Sequence, residues 1–267
     1  MIKKTGTYKI FSTILLVVFS LSLFAQGEND NVQNEDLMEL TMRLNSDVSN
    51  AKYLNKKGIM YEQAGKLEQA LEAYAKAADL SPENPDYFFN KGNMLFQLAR
   101  YQEAFDAFNE TVRIDRFDAQ AFMARGNCRA MMGDLEGAII DYDFVVRIRP
   151  TFPRAYYQRG LYNFQAENYR RALKDFNEAI DLEPKFAKGY YQRGLVLNAM
   201  ERYKKALRDL DKAIQLDPSL AEAYLQRGIA LLNTDQAVKG CNDLERALNL
   251  GVKEAEVLIS KYCGEIN

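Results

Sequence analysis

Six glycines, Gly58, Gly92, Gly126, Gly160, Gly194 and Gly228, stand one fixed interval of 34 residues apart. The chain repeats itself around them. Ala155-Tyr-Tyr-Gln-Arg-Gly160 returns as Gly189-Tyr-Tyr-Gln-Arg-Gly194 and Ala223-Tyr-Leu-Gln-Arg-Gly228, with a looser copy at Ala121-Phe-Met-Ala-Arg-Gly126. A period in this range means stacked supersecondary units, each of which needs its neighbours to bury its apolar face. A chain of 267 residues built this way grows by repeats, so its length carries little information about domain count.

Six units follow, spanning 51–84, 85–118, 119–152, 153–186, 187–220 and 221–250. The prolines mark the joints. Pro82, Pro150, Pro184 and Pro218 hold position 32 of their units, and Pro85 and Pro153 hold position 1, where a missing N–H is tolerated at a helix start. Apolar periodicity within each unit predicts two helices, A and B, with a turn near positions 14 to 16, as at Gly65, Gly133 and Asn168. Helix A carries an aromatic residue or Leu at position 4 and the glycine at position 8. Helix B carries alanine at position 20 (Gly240 in the last unit) and a bulky residue at position 24: Tyr74, Phe108, Tyr142, Phe176, Leu210 and Leu244. A mid-helix glycine costs up to about 1 kcal/mol against alanine. Close approach of A and B supplies the packing reason for accepting that cost six times.

Residues 1–25 begin with Lys3, Lys4 and Lys9, continue through the apolar run Ile10 to Phe24 and end at Ala25, the pattern of a secretory signal peptide. The run is shorter than the roughly 20 residues needed to cross a bilayer. A membrane anchor formed by residues 10–25 is the alternative to export into the periplasm. Residues 26–36 read as an acidic linker, 37–50 as an N-terminal capping helix and 251–267 as a C-terminal capping helix.

The formal charge is -2, and removal of residues 1–25 leaves 32 basic against 37 acidic residues. Such a balance argues against a nucleic-acid partner, which calls for a basic face. Histidine is absent, which removes the commonest general base and most zinc sites. The glycines follow no predicted strand, so no phosphate-binding loop is read. We expect no catalytic residue, metal, cofactor or small-molecule substrate, and keep an enzyme with an unrecognised site only as a remote alternative. Cys128, at position 10, reads as a small core residue.

Arginine at position 7 occurs in the same four units as aspartate at position 23. Arg125 goes with Asp141, Arg159 with Asp175, Arg193 with Asp209 and Arg227 with Asp243, whereas the first two units hold Lys57 with Ala73 and Lys91 with Ala107. Residues that arrive together are expected to pair, within a unit or between neighbours. In the last unit, Cys241 and Cys263 are equally spaced about Val252. An antiparallel helical hairpin centred there makes them face each other, and a disulfide closing that loop would contribute about 3 kcal/mol in an oxidising compartment. The alternative is two buried thiols.

An aromatic residue at position 4, Gly at 8, Ala at 20, an aromatic at 24, Ala at 27 and Pro at 32 make the chain resemble the tetratricopeptide repeat family. The likeness is cleanest in residues 153–186, with Tyr156, Gly160, Ala172, Phe176, Ala179 and Pro184. Departures are Thr111 and Val145 at position 27, and Arg116 and Val252 at position 32. The segments Phe24-Ala-Gln26 and Lys239-Gly-Cys-Asn-Asp-Leu-Glu-Arg-Ala247 resemble exported members of the family from the Bacteroidetes. The resemblance implies an all-α, right-handed α-solenoid of six repeats with a capping helix at each end, binding protein or peptide.

The family's concave face is lined by positions 5, 9 and 12 of helix A. That places Phe89, Asn93 and Phe96 of the second unit, Met123 and Asn127 of the third, and Tyr157, Leu161 and Phe164 of the fourth in a groove. Tyr191, Leu195 and Asn198 of the fifth unit and Leu225 and Ile229 of the sixth continue it. Leu161, Leu195 and Ile229 suit the core between repeats equally well, while Tyr157 and Tyr191 favour the groove because their hydroxyls prefer contact with water. The lysine that a chaperone-binding clamp of this family places at position 5 is missing. The function implied is an exported scaffold, an assembly or adaptor component of an envelope complex. A self-associating structural solenoid is the alternative, homo-oligomers are possible, and membrane contact is expected only through an uncleaved signal segment or a partner.

Overall fold

The computed structural model describes residues 30–264. The expected signal peptide and the first residues of the acidic linker lie outside the described residues. Among the described residues there are thirteen helices and no strand. Six A/B pairs follow one another: α1 (Asp30–Gln63) with α2 (Leu67–Leu80), α3 (Pro85–Gln97) with α4 (Tyr101–Ile114), α5 (Ala119–Met131) with α6 (Leu135–Ile148), α7 (Pro153–Gln165) with α8 (Tyr169–Leu182), α9 (Ala187–Ala199) with α10 (Tyr203–Leu216), and α11 (Ala221–Leu232) with α12 (Ala237–Asn249). A last helix, α13 (Glu254–Tyr262), lies against α12.

The first element corrects the sequence reading. Helix α1 runs unbroken for 34 residues and absorbs three expected pieces: the end of the linker 26–36, the capping helix 37–50 and helix A of the first repeat. Neither proline nor glycine occurs between Gly27 and Gly58, so nothing stops the helix. Asp30, Glu35 and Asp36 also stand near its N-terminus, where the helix dipole favours negative charge.

Each A helix packs on its own B helix, and each B helix on the A helix of the next repeat. Successive A helices also touch, as α3 with α5, α7 with α9 and α9 with α11, while no two B helices come as close. The A layer therefore follows the shorter, inner arc and the B layer the outer one.

Position 8 shows why glycine recurs. A Cβ at Gly160 would lie 2.8 Å from the ring of Phe176, and one at Gly92 2.6 Å from that of Phe108. The position-24 side chain presses against the bare glycine backbone, so any side chain there would displace it. At the turns, every repeat places position 15 in the left-handed region. Glycine serves twice, at Gly65 (φ 71°) and Gly133 (φ 88°), but Ala99, Glu167, Glu201 and Asp235 adopt φ of 56 to 58°. The turn is a Schellman closure: the Arg100 N–H donates to the Leu95 carbonyl at 2.9 Å and the Ala99 N–H to the Phe96 carbonyl at 3.0 Å.

Candidate protein-binding groove

Helix A brings the expected groove residues to the inner layer and then partly covers them. Phe89, Asn93, Phe96, Met123, Asn127, Tyr157, Leu161, Phe164, Tyr191, Leu195, Leu225 and Ile229 are all half-buried, and Asn198 is buried. The Tyr157 ring lies edge-on to Phe186 at 4.9 Å between centroids and against Phe176 at 5.9 Å. Phe89 meets Phe108 at 5.5 Å and Phe96 meets Tyr101 at 5.3 Å. Tyr157 and Tyr191 are thus not open groove side chains as expected. Each is wedged into the seam, because position 5 also borders the following repeat. Burial pushes both phenols up, that of Tyr191 to about 12, and keeps them protonated donors.

The asparagines divide by role. The Asn127 Oδ1 accepts from the hydroxyls of Tyr142 at 2.9 Å and Tyr162 at 2.8 Å, so its carbonyl is committed to the fold. Asn198 donates through Nδ2 to the Gln226 carbonyl at 2.9 Å, while its buried Oδ1 has no hydrogen-bond partner.

The exposed part of the inner face comes from two rows that the sequence reading left out. Position 2 contributes Asp86, Gln120, Arg154, Lys188 and Glu222, and position 13 contributes Gln97, Met131, Gln165, Ala199 and Asn233, all exposed. Positions 2, 5, 9 and 13 share one helix face at i+3 and i+4 spacing. Continuing the stripe one step in each direction would have found them. The inner surface is therefore an apolar floor with a polar margin of both charge signs at position 2 and a mixed margin at position 13, where amides alternate with Met131 and Ala199.

The four arginine–aspartate pairs all form, with the arginine Nε and Nη2 forking onto the aspartate. The distances are 3.1 and 2.6 Å for Arg125 on Asp141, and 2.7 and 2.7 Å for Arg193 on Asp209. Arg159 on Asp175 and Arg227 on Asp243 repeat the arrangement. A second anchor lies in the preceding repeat. The arginine Nη1 donates across the joint to position 25, reaching Asn109 (2.8 Å), Asp143 (2.7 Å), Asn177 (2.7 Å) and Asp211 (2.8 Å). The guanidinium also lies over the position-4 ring, as Arg159 over Tyr156 at 5.5 Å. With every arm engaged, these arginines tie repeats together and are not held ready for an anion. Asp209 and Asp243 hold the guanidinia of Arg193 and Arg227 above their ordinary value, so the ties stay charged.

At the C-terminal end Cys241 and Cys263 are joined by a disulfide across the α12/α13 hairpin, with Cα atoms 5.8 Å apart. Cys128 is a buried free thiol, pushed up to about 12 by burial.

Models described as "Tetratricopeptide repeat" match residues 55–119 and, separately, 153–186 and 187–220. No curated protein sequence matches significantly. Among solved structures, a tetratricopeptide repeat protein from Parabacteroides merdae is 20% identical with a TM-score of 0.67, over 75% of this chain and 80% of that one. The C-terminal part of a TPR repeat-containing protein from Cytophaga hutchinsonii is 19% identical with a TM-score of 0.66, over 78% and 86%. YrrB, described as a TPR protein with an unusual peptide-binding site, is 20% identical with a TM-score of 0.61, over 72% and 98%. With the 34-residue period, the glycine-on-aromatic packing and the stacked A/B pairs, these matches make the units over residues 55–119 and 153–220 tetratricopeptide repeats, in a fold shared with solved proteins of that family.

Proposed function

We propose that the chain is an exported scaffold that holds a protein or peptide segment along the inner face of its A helices, as an assembly or adaptor component of an envelope complex. The observation that carries this reading is the composition of the inner face: a half-buried Tyr, Phe and Leu floor beside an exposed row at position 2 of acidic, amide and basic residues. Aromatic floors supply contact area at low entropic cost, and an extended segment needs backbone partners. YrrB, with the same stacked architecture, is described as having a peptide-binding site. Export rests on the basic and apolar pattern of residues 1–25.

A photo-crosslinking residue placed at Gln165, on the inner margin, should capture a partner in the native envelope, and the same residue at Arg208, on the outer layer, should not. Capture from Arg208 alone would move the site to the outer face. N-terminal sequencing of the purified protein should begin near residue 26, and an intact Met1 would remove the export reading.

A further inference from the structure

The outer layer breaks its own pattern at one place. Position 22 of helix B is polar in five repeats (Glu72, Asp106, Lys174, Arg208, Asn242) but is Ile140 in the third. Position 26 is charged in five and is Phe144 in the third, and position 33, polar in the other repeats, is Phe117 at the joint leading into the third. The three side chains are contiguous. Phe117 lies 6.3 Å from Phe144, which stands one turn from Ile140 on α6 and stacks on Phe122 at 4.1 Å. Phe117 is 75% and Ile140 61% exposed. A rim of positive charge accompanies them: Arg116 stands where four other repeats have proline, and Arg147, one turn beyond Phe144, stands where no repeat but the second has a base. Among the described residues, neither of these arginines enters an ion pair, unlike Arg113, which Glu110 holds at 2.7 Å.

We infer that this patch docks the acidic N-terminal end of α1 from a second copy of the chain. A contiguous apolar surface rimmed by unpaired arginines calls for an amphipathic segment that is acidic on its margins. The first ten residues of α1 hold Asp30, Glu35, Asp36 and Glu39 with no base, and Leu37, Met38 and Leu40 follow in the same stretch. Within one copy α1 packs on α2, two repeats away from α6, so the occupant comes from another molecule. Reciprocal exchange of the two ends gives a closed two-fold dimer. Asp106, Glu136 and Asp143 stand exposed on the same outer layer. A flat anionic surface would have to meet these acids, whereas a single helix can pass between them.

The test uses a fluorescent peptide of residues 28–44, titrated into the full chain and read by polarisation, with the mass of the full chain followed by light scattering. The peptide should bind, and binding should weaken severalfold as salt rises from about 0.05 to about 0.5 M. The variant Phe117→Ser, Ile140→Lys should bind about tenfold more weakly or worse and should shift the chain toward monomer. Its melting should be unchanged, because other repeats carry Ser219 and Lys174 at these positions. Should the variant fold poorly, a peptide with Glu35→Lys and Asp36→Lys tested on the wild-type chain replaces it, and should not bind. A wild-type chain that stays monomeric and ignores the peptide overturns the inference, as does equal binding by the variant. Pull-down of the wild-type chain, but not the variant, by phosphatidylglycerol vesicles without peptide binding would assign the patch to lipid and overturn it too. Crosslinking from Gln165 is independent of these substitutions, so failure of this dimer and failure of the inner-face reading are distinguishable.

Discussion

Asp175 is 2% exposed and receives Nε and Nη2 of Arg159 together with Nδ2 of Asn163 at 2.9 Å. A carboxylate taken out of water to this degree is tolerable only while its donors remain. Arg159→Ala and Asp175→Ala should each cost about 3 kcal/mol in chemical unfolding. The double variant should cost less than the sum by about 1 kcal/mol or more, since each single change takes from a buried charge its main partner and leaves Asp175 only Asn163, or Arg159 only the exposed Asp143. Additive losses would mean that the pair is not coupled. The pairing itself could be read from the sequence, because arginine at position 7 and aspartate at position 23 appear and disappear together. The second anchor was equally present, as Asn109, Asp143, Asn177 and Asp211 in the unit before each arginine, with Ala75 before Lys91. Comparison within single units hid it, since the contact crosses a joint.

At the scale of the element, turns and ends show where local chemistry was legible and where it was not. Glycine at position 15 marked two of six left-handed residues. The other four are imposed by the Schellman closure and the stacking of B on A, forces that leave no trace in residue type. A non-glycine residue in this region carries about 1 kcal/mol of strain. Glu201→Gly should therefore raise stability by about 0.5 kcal/mol, the balance being lost to the greater freedom of glycine in the unfolded chain. The midpoint of denaturation reads this directly, and a decrease would show that the turn is unstrained. The α1 helix is the opposite case: its acidic start has the composition of a linker, while the lack of a stop signal over positions 28–57 lets the helix run on. Half-burial of Tyr157 and Tyr191 was hidden for another reason, since position 5 serves groove and seam at once and only the stacking distance decides the share. For the C-terminal hairpin, iodoacetamide should label no cysteine in the native protein, Cys128 alone after unfolding without reductant, and all three after reduction. Labelling of Cys128 in the native state would contradict its burial and raised pKa.

For the whole molecule, the rungs formed by the arginines are unevenly distributed. Four joints carry one, from the second repeat onward, but between the first and second repeats Lys91 faces Ala75, and the side-chain bond across that joint is Asn90 to Asn55 at 2.9 Å. Among the described residues, the first A helix also has no repeat before it. Tyr53 and Met60 are 65% and 68% exposed, where their counterparts Ala155 and Tyr162 are buried. The far end is closed by the disulfide. A stack of repeats obeys nearest-neighbour statistics, so unequal couplings give it a direction. Under native conditions it should come apart from the first repeat inward, as a row of domino-like units with one loose end. Amide hydrogen exchange should be fastest in α1 to α3, slow through α6 to α10, and independent of rate-limiting global unfolding at the N-terminal end. Uniform protection along all repeats would mean that the joints are equal in strength. With the gradient, the molecule has a built-in order of opening: a pull or a chaperone at the N-terminus would release the outermost repeat first and leave the arginine-laced body standing.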